Sequence, residues 1–171
     1  NFTSSSRPWY NERSSITKVI ISENVLTIGN YAFYNFNNMV SITIPNSVKY
    51  IGTYAFNSCT NLLTIKLPEK ITTIEPYCFR YCTKLMYFDI PYGVTRIKTF
   101  NIHDCKALAW VNIPDSVTTI DSHVIHYCDN LTTVTIPKGV SRIGTLSFSE
   151  CKNLREIHFL GNISYVEDRG F

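Results

Sequence analysis

The sequence has no long apolar run and no concentration of charge of one sign. None of its apolar stretches approaches the roughly 20 residues that a membrane-spanning helix requires. The 16 Lys and Arg residues are scattered among 13 Asp and Glu residues, and the net charge is only +3. Such a distribution does not predict the basic face that nucleic-acid binding needs. Hydrophobic residues make up 44% of the chain and charged residues 17%, which favours a folded chain over a disordered one.

What the sequence does contain is a strict repeat of 23 residues. Apolar residues return at this interval with no insertion or deletion. A single 23-residue unit cannot bury its own hydrophobic side, so the repeat predicts a stack of units with one continuous core. Equivalent residues then form columns along the stack, spaced about 4.8 Å apart where strands pair. The five predicted core columns are Val25, Val48, Ile71, Val94, Val117, Val140, Ile163; Ile28, Ile51, Ile74, Ile97, Ile120, Ile143, Val166; Phe33, Phe56, Phe79, Ile102, Ile125, Phe148, Phe171; Met39, Leu62, Leu85, Leu108, Leu131, Leu154; and Val19, Ile42, Ile65, Phe88, Val111, Val134, Ile157.

Within each unit, one segment has the pattern of a strand. Leu62, Ile65 and Leu67 have the spacing L-x-x-L-x-L, which predicts a strand over residues 63 to 67. The equivalent segments, such as 86 to 90 and 109 to 113, would form a parallel sheet on a concave face. Proline cannot donate a hydrogen bond to a strand ladder and is expected to end each strand. The prolines in this position are Pro45, Pro68, Pro91, Pro114 and Pro137.

The rest of the unit predicts a second short strand and a turn. The pair Val94 and Ile97, which recurs in every unit, indicates the second strand. The stretch from Phe79 to Cys82 is too short for a stable α-helix and predicts a helical or 3₁₀ turn.

The complete unit reads I-P-x-x-V-x-x-I-x-x-x-x-F-x-x-C-x-x-L-x-x-I. It is found in full as Ile44, Pro45, Val48, Ile51, Phe56, Cys59, Leu62 and Ile65. Over about residues 16 to 171 the sequence resembles the BspA-like, or Treponema-type, class of leucine-rich repeats. Two units have Ile102 and Ile125 in place of Phe, and the first has Phe36 for Cys and Ser22 for Pro. The Asn ladder of other leucine-rich repeats is missing.

The resemblance implies both an architecture and a biological setting. The expected fold is a leucine-rich-repeat solenoid of about seven 23-residue coils, mostly β and turns, with a parallel β-sheet on the concave face. Members of this class are cell-surface or secreted proteins that attach to host cells, matrix proteins or other microbes. The resemblance therefore implies cell adhesion at the cell surface or outside the cell. A cytoplasmic structural scaffold built from the same repeats is the alternative.

The two ends differ from the repeats between them. Residues 1–15 are polar and Ser-rich, and they are predicted to be an N-terminal cap segment in which Trp9 and Tyr10 cover the end of the core. A pair of aromatic residues that contacts a ligand is the alternative. Residues 16–171 hold the repeats. The chain begins at Asn1 rather than Met and stops at Phe171 within a repeat, so we expect a fragment whose repeats continue beyond 171.

Five of the six cysteines fall in one column, which is Cys59, Cys82, Cys105, Cys128 and Cys151. Residues of one column have nearly parallel Cα–Cβ vectors about 4.8 Å apart, whereas disulfides prefer Cβ atoms about 3.8 Å apart. A line of parallel thiols also cannot close a zinc tetrahedron. The cysteines are therefore predicted to be small buried thiols that pack as hydrophobic residues. Cys78, at the position of Ala32 and Ala55, is predicted to be buried as well.

Few residues suggest reaction chemistry. His103 and His126 share a column near His123 and Asp104, which is compatible with a metal site or a general base. The same column also contains Asn57, Arg80 and Ser149, which favours a solvated convex edge. No nucleophile motif, phosphate loop or paired carboxylates recur, so no enzyme activity, cofactor or metal is predicted. The acceptor pattern for N-glycosylation occurs at Asn1, Asn130 and Asn162.

The concave sheet is the surface most suited to binding. Alternation along the strand points two columns outward. They are Lys18, Ser41, Thr64, Tyr87, Trp110, Thr133, Glu156 and Ile20, Thr43, Lys66, Asp89, Asn112, Thr135, His158. Tyr87 and Trp110 would be adjacent and exposed, with Lys66, Asp89 and Asn112 around them, and exposed aromatic residues often anchor protein partners. The sequence thus predicts a non-catalytic module whose concave face binds a protein ligand, with simple packing of the two aromatic rings against each other as the alternative.

Overall fold

The computed structural model describes residues 8–171 as a solenoid of short parallel strands and turns, with six complete turns and the start of a seventh. Its strands are β1 (Lys18–Ile20), β2 (Thr27–Ile28), β3 (Ser41–Thr43), β4 (Tyr50–Ile51), β5 (Thr73–Ile74), β6 (Tyr87–Asp89), β7 (Arg96–Ile97), β8 (Trp110–Asn112), β9 (Thr119–Ile120), β10 (Thr133–Ile136), β11 (Arg142–Ile143), β12 (Glu156–Phe159) and β13 (Tyr165–Val166). Coils 1 to 7 are numbered from residues 18, 41, 64, 87, 110, 133 and 156. No helix in this part of the chain is long and apolar enough to span a membrane.

The concave face is built from the first strand of each coil. These strands pair in parallel as β1 with β3, β6 with β8, and β10 with β12, each residue facing the one 23 positions further along, as Val19 faces Ile42. The strand predicted at 63 to 67 is not formed. Only its first residue is bonded: Leu63 N–H donates to the Val40 carbonyl at 3.4 Å, and the Leu63 carbonyl accepts from Met86 N–H at 3.2 Å. The sequence of coil 3 does not explain this gap, since it has the same pattern as the coils that pair.

The predicted second strand is present in every coil and forms its own ladders. β2, β4 and β5 pair in coils 1 to 3, and β7, β9, β11 and β13 pair in coils 4 to 7. Between coils 3 and 4, β5 and β7 are not paired. An ion pair spans this boundary, with Lys98 Nζ 2.8 Å from Glu75 Oε1. Neither the concave strands nor the second strands are therefore paired across the boundary between coils 3 and 4. Hydrogen bonds of the convex turns join the two coils.

The convex side consists of tight turns rather than helix. Cys82 N–H donates to the Phe79 carbonyl at 3.3 Å, which is the i to i+3 bond of the predicted turn. Tyr81 between them has a φ of 63°, however, which lies outside any right-handed helix. The turn is therefore of type II, with a left-handed residue at its third position, and not helical or 3₁₀. The prediction was wrong because hydrogen bonds between coils, not local helix propensity, determine this conformation.

Two columns of residues adopt this left-handed conformation without glycine. They are Tyr31, Tyr54, Tyr77, Phe100, His123, Leu146, Arg169 and Asn35, Ser58, Tyr81, Asp104, Tyr127, Glu150. Such a conformation costs a non-glycine residue roughly 1–3 kcal/mol and persists only where surrounding structure enforces it. Here the next coil enforces it, because N–H groups at alternate positions donate to carbonyls of that coil. Tyr77 N–H donates to the Thr99 carbonyl at 3.2 Å, and Phe79 N–H donates to the Asn101 carbonyl at 2.9 Å.

The five predicted core columns are buried in the interior coils, as Ile51, Phe56, Leu85, Leu108 and Val117 illustrate. Toward the last coil the columns become exposed. The Phe column is also a ring stack, with centroids 5.3 Å apart from Phe33 to Phe56 and from Phe56 to Phe79.

At the other end, the Trp9 ring stacks on Phe33 with centroids 6.0 Å apart. Its Nε1–H donates to the Ala32 carbonyl at 2.6 Å. Trp9 therefore extends the ring stack by one position. The cap segment predicted over residues 1–15 stays a prediction, and its residues 1 to 7 lie outside the part of the chain that the structure describes.

The cysteine column is buried and serves a purpose that the sequence did not indicate. Each Sγ lies 3.1–3.3 Å from the main-chain carbonyl of the residue 26 positions earlier, as Cys105 Sγ does from the Phe79 oxygen. The thiols thus donate weak hydrogen bonds that link neighbouring coils. Cys78 is fully buried as well.

This burial predicts slow thiol chemistry. Burial raises the pKa of Cys105 to about 12 and raises the pKa values of Cys78, Cys82 and Cys128. Since the thiolate is the reactive form, a thiol reagent at neutral pH is expected to label almost none of the six cysteines in the folded protein and all six in denaturant. Cys151, whose pKa is lowered by its hydrogen bond with Cys128, is expected to react first. Rapid labelling of Cys105 in the folded protein would contradict this assignment.

Candidate protein-binding surface

The concave face places the two predicted aromatic residues side by side. Tyr87 in β6 is paired directly with Trp110 in β8, and their exposed fractions are 52% and 46%. The buried residues between the outward positions, Phe88 and Val111, hold both strands against the core. The strand register places Tyr87 directly opposite Trp110, so packing of the two rings against each other stays the alternative to a ligand-binding role.

The polar residues predicted around this pair are exposed as well. Asp89 and Asn112 face each other in the same strand pair, one step beyond the aromatic residues. Lys66 lies in the neighbouring coil, in the segment that is not a strand. The five predicted residues thus lie in three consecutive coils of one face.

Sequence reasoning missed a column of apolar residues beside the aromatic pair. Val40, Leu63, Met86 and Ala109 directly precede the concave strand and are exposed. Their main chains form a continuous ladder, in which Met86 N–H donates to the Leu63 carbonyl and Ala109 N–H donates to the Met86 carbonyl at 2.9 Å. The signal was in the sequence, since each residue directly follows a member of the Leu column and is itself apolar or small.

The histidine column is not the solvated edge that the sequence suggested. Asn57, His103 and His126 are only 4%, 5% and 7% exposed. Asn57 Nδ2–H donates to the Tyr77 carbonyl at 3.3 Å. In contrast, His103 Nδ1 and His126 Nε2 are buried without a hydrogen-bond partner within residues 8–171. Hydrogen bonding within the turns therefore accounts for Asn57 but not for the two histidines, whose rings pack against each other with centroids 5.0 Å apart.

The three histidines form a packed cluster with aromatic neighbours. His123 Nδ1 lies 3.1 Å from His126 Nδ1, so at least one of these rings must be neutral. The His126 ring stacks on Tyr127 with centroids 4.2 Å apart. Asp104 Oδ2 is 2.8 Å from His103 Nδ1, but the two groups are not aligned as a hydrogen bond.

The electrostatics of this cluster favour the neutral form. Burial, with a contribution from Arg80, lowers the pKa of His103 to about 4. Burial also lowers the pKa values of His123 and His126. Within residues 8–171, no group of three or more His, Cys, Asp or Glu side chains is arranged to hold a metal ion.

The outer side of the same turns carries a ladder of stacked rings. Tyr31, Tyr54, Tyr77, Phe100 and His123 stack in sequence, with centroids 4.6–5.1 Å apart and ring planes within 11° of parallel. These rings are partly buried by one another. Their role is therefore to stabilise the stack of coils.

Comparison with known proteins agrees with this architecture. A family model described as BspA type leucine rich repeat region matches residues 5–132 and 120–171 in 6 copies. The chain belongs to this family of leucine-rich repeat proteins. Leucine-rich repeats are generally non-catalytic and typically bind proteins, and BspA-type proteins are typically associated with the cell surface. No protein with a curated description matches the chain.

Solved structures with the same fold come from several bacteria. A leucine rich cell surface protein from Faecalibacterium prausnitzii is 37% identical, with a TM-score of 0.79 over 85% of this chain and 39% of that protein. A leucine rich repeat protein from T. pallidum is 28% identical, with a TM-score of 0.80 over 88% of this chain and 71% of that one. A leucine-rich repeat protein from Bacteroides ovatus, 21% identical with a TM-score of 0.67, shares the fold over 91% of this chain and 45% of its own. The chain thus spans well under half of the Faecalibacterium protein.

Proposed function

We propose that the chain is a non-catalytic protein-binding module of a cell-surface or secreted adhesin, and that its concave face binds a host-surface or matrix protein. The observation that carries this proposal is the exposed pair Tyr87 and Trp110 on paired central strands. Large aromatic residues that are held rigidly and left exposed are the usual anchors of protein interfaces. The repeats of this family typically bind proteins, which supports the same proposal.

The surroundings of the pair suit an interface. The apolar column of Val40, Leu63, Met86 and Ala109 adjoins it and extends the apolar area over coils 1 to 4. Polar side chains lie on the opposite side of the pair, including Lys66 and Asp89. An apolar centre with a polar rim is the composition expected of a protein-binding patch.

The test is binding to a panel of purified matrix proteins, such as collagen, laminin and fibronectin, measured with the wild-type chain and with single variants. Trp110→Ala and Tyr87→Ala are each expected to weaken binding by about 2 kcal/mol or more, roughly thirtyfold. Lys66→Ala and Glu156→Ala should have smaller effects and mainly change the salt dependence.

Tyr165→Ala is the matched control, because Tyr165 is an exposed tyrosine on β13, outside the concave strands. Circular dichroism would establish that each variant is folded. Equal binding by all folded variants would refute the proposal. Loss of binding only in Tyr165→Ala would show that the interface lies on the second strands, to which β13 belongs, and not on the concave strands.

A further inference from the structure

A groove of about 460 Å³ crosses coils 3 to 5 where the concave strands end. Its lining includes the polar residues Lys66, Glu69, Asp89, Tyr92 and Asn112 together with Pro91 and Pro114. The groove borders the segment of coil 3 that is not paired as a strand. Its volume falls within the range of small-molecule binding sites.

Four polar side chains of this groove form no ion pair and no side-chain hydrogen bond within residues 8–171. On the second-strand side, Asp121 and Glu75 pair with Arg96 and Lys98, each at 2.8 Å. In contrast, Lys66 and Asp89 occupy neighbouring coils but form no ion pair within residues 8–171. The side chains of Asn112 and Tyr92 likewise have no hydrogen-bond partner in the described part of the chain. Donors and acceptors therefore converge on the groove without satisfying one another.

Tyr92 lies outside the ladder of stacked rings on the convex side. Tyr31, Tyr54 and Tyr77 stack on their neighbours, as described above. Tyr92 is 69% exposed, and its ring contacts no other aromatic ring among the described residues. It directly follows Pro91, which comes after the concave strand, and it is one of the residues that line the groove. Such a position offers a flat apolar face beside polar groups.

We infer that this groove binds a neutral saccharide. Each sugar hydroxyl both donates and accepts hydrogen bonds, which matches a site holding an ammonium, a carboxylate and an amide. The C–H face of a sugar ring can pack on the aromatic ring of Tyr92, which is apolar on its faces and polar at its tip. Lys66 contributes one positive charge to the groove, whereas Asp89 and Glu69 contribute two negative charges, so these charges sum to −1. This negative sum disfavours phosphates and other anions.

This inference goes beyond the proposed protein-binding function. The groove shares Lys66, Asp89 and Asn112 with the predicted protein-binding surface. The aromatic anchors are different, however: Tyr92 for the saccharide, and Tyr87 and Trp110 for the protein. The two functions can therefore be separated by substitution.

The experiment is a screen of the whole chain against an array of neutral and acidic oligosaccharides, followed by NMR titration of the strongest neutral ligand. Tyr92→Ala is expected to lower the affinity for that ligand at least about tenfold, and Asp89→Asn is expected to lower it as well. Tyr92→Phe keeps the ring and should retain most of the binding. Trp110→Ala and Tyr165→Ala should leave saccharide binding unchanged.

Three results would overturn the inference. The first is that no neutral oligosaccharide binds at concentrations up to about 10 mM, at which even a very weak affinity would be detected. The second is binding that survives both Tyr92→Ala and Asp89→Asn. The third is a preference for acidic oligosaccharides, which would identify an anion site around Lys66. If Trp110→Ala loses matrix-protein binding and keeps saccharide binding, both proposed functions are supported. If Trp110→Ala binds matrix proteins as well as the wild type does, only the protein-binding proposal is refuted.

Discussion

Replacing Leu108 by Ala is expected to lower the free energy of unfolding by about 2–5 kcal/mol, the range for a large-to-small change in a packed core. Leu108 is fully buried in the central part of the Leu column, between Leu85 and Leu131. The loss includes both the transfer of the side chain from water and the cavity that remains. Urea unfolding followed by circular dichroism would measure it.

Leu63→Ala provides the matched control, since Leu63 is an exposed leucine beside the same columns. Its substitution should change stability by roughly 0.5 kcal/mol or less. Leu108→Ala is also expected to separate the unfolding of the coils on its two sides, because each coil contacts only its neighbours. An unfolding curve for Leu108→Ala that matches the wild type would show that the core columns are assigned wrongly.

Acidification is expected to destabilise the solenoid between pH 6.5 and about pH 4. Above pH 6.5, His103 is neutral in both the folded and the unfolded chain, so it contributes no pH dependence. Below pH 6.5, His103 binds a proton in the unfolded chain, whereas in the folded chain it does so only near its lowered pKa of about 4. Stability therefore falls as the pH falls through this window. The loss is expected to be about 1–3 kcal/mol, discounted for solvent near the cluster.

Neighbouring ionisable groups also affect how the free energy of unfolding depends on pH. His123 and His126 have lowered pKa values and act in the same direction as His103. Burial raises the pKa of Asp104, so its protonation favours the folded state at the acid end and works in the opposite direction. Arg80 contributes a fixed positive charge that disfavours protonation of His103.

The measurement is thermal unfolding of the wild type and of a His103→Asn, His126→Asn double variant between pH 7 and pH 4. Asn occupies the equivalent position in coil 2 as Asn57, so the variant is expected to fold. The wild type should lose more stability than the variant over this interval. His158→Asn, which removes an exposed histidine of the concave face, should behave like the wild type. Identical pH profiles for the wild type and the double variant would contradict the prediction.

The repeat predicted the fold well because burial in a solenoid follows directly from periodicity. Residues such as Phe56, Leu108 and Ile120 lie where a constant 23-residue interval places them, and one register error would have moved them all. The outward positions of Tyr87 and Trp110 followed from simple alternation along a strand. The binding role proposed for them remains a prediction, since periodicity reveals exposure but not ligand identity.

The features that escaped prediction depend on contacts between main-chain and side-chain atoms. The thiol of Cys105 donates to a carbonyl 26 residues earlier, an interaction that depends on the path of the turn. His103 is buried by the same turn, although its residue type suggested a solvated edge. The left-handed conformation of Tyr81 similarly arises from bonds to the next coil. None of these three features has a local sequence signature. The thiol bond and the burial of His103 depend on contacts between coils, and a bulky residue such as Tyr81 normally avoids positive φ.

The constant coil length has a further consequence for how such a chain can change its length. Loss of one residue within a coil would move every later side chain out of its column, whereas loss or duplication of a whole 23-residue coil keeps all columns aligned. Recombination between repeats therefore produces foldable products only in whole-coil steps. Each such step displaces every later surface residue by about one strand spacing, roughly 4.8 Å, along the axis. The distance between two binding surfaces along the solenoid axis can thus change only in discrete increments. Such a change leaves the residues and packing of the core as they were.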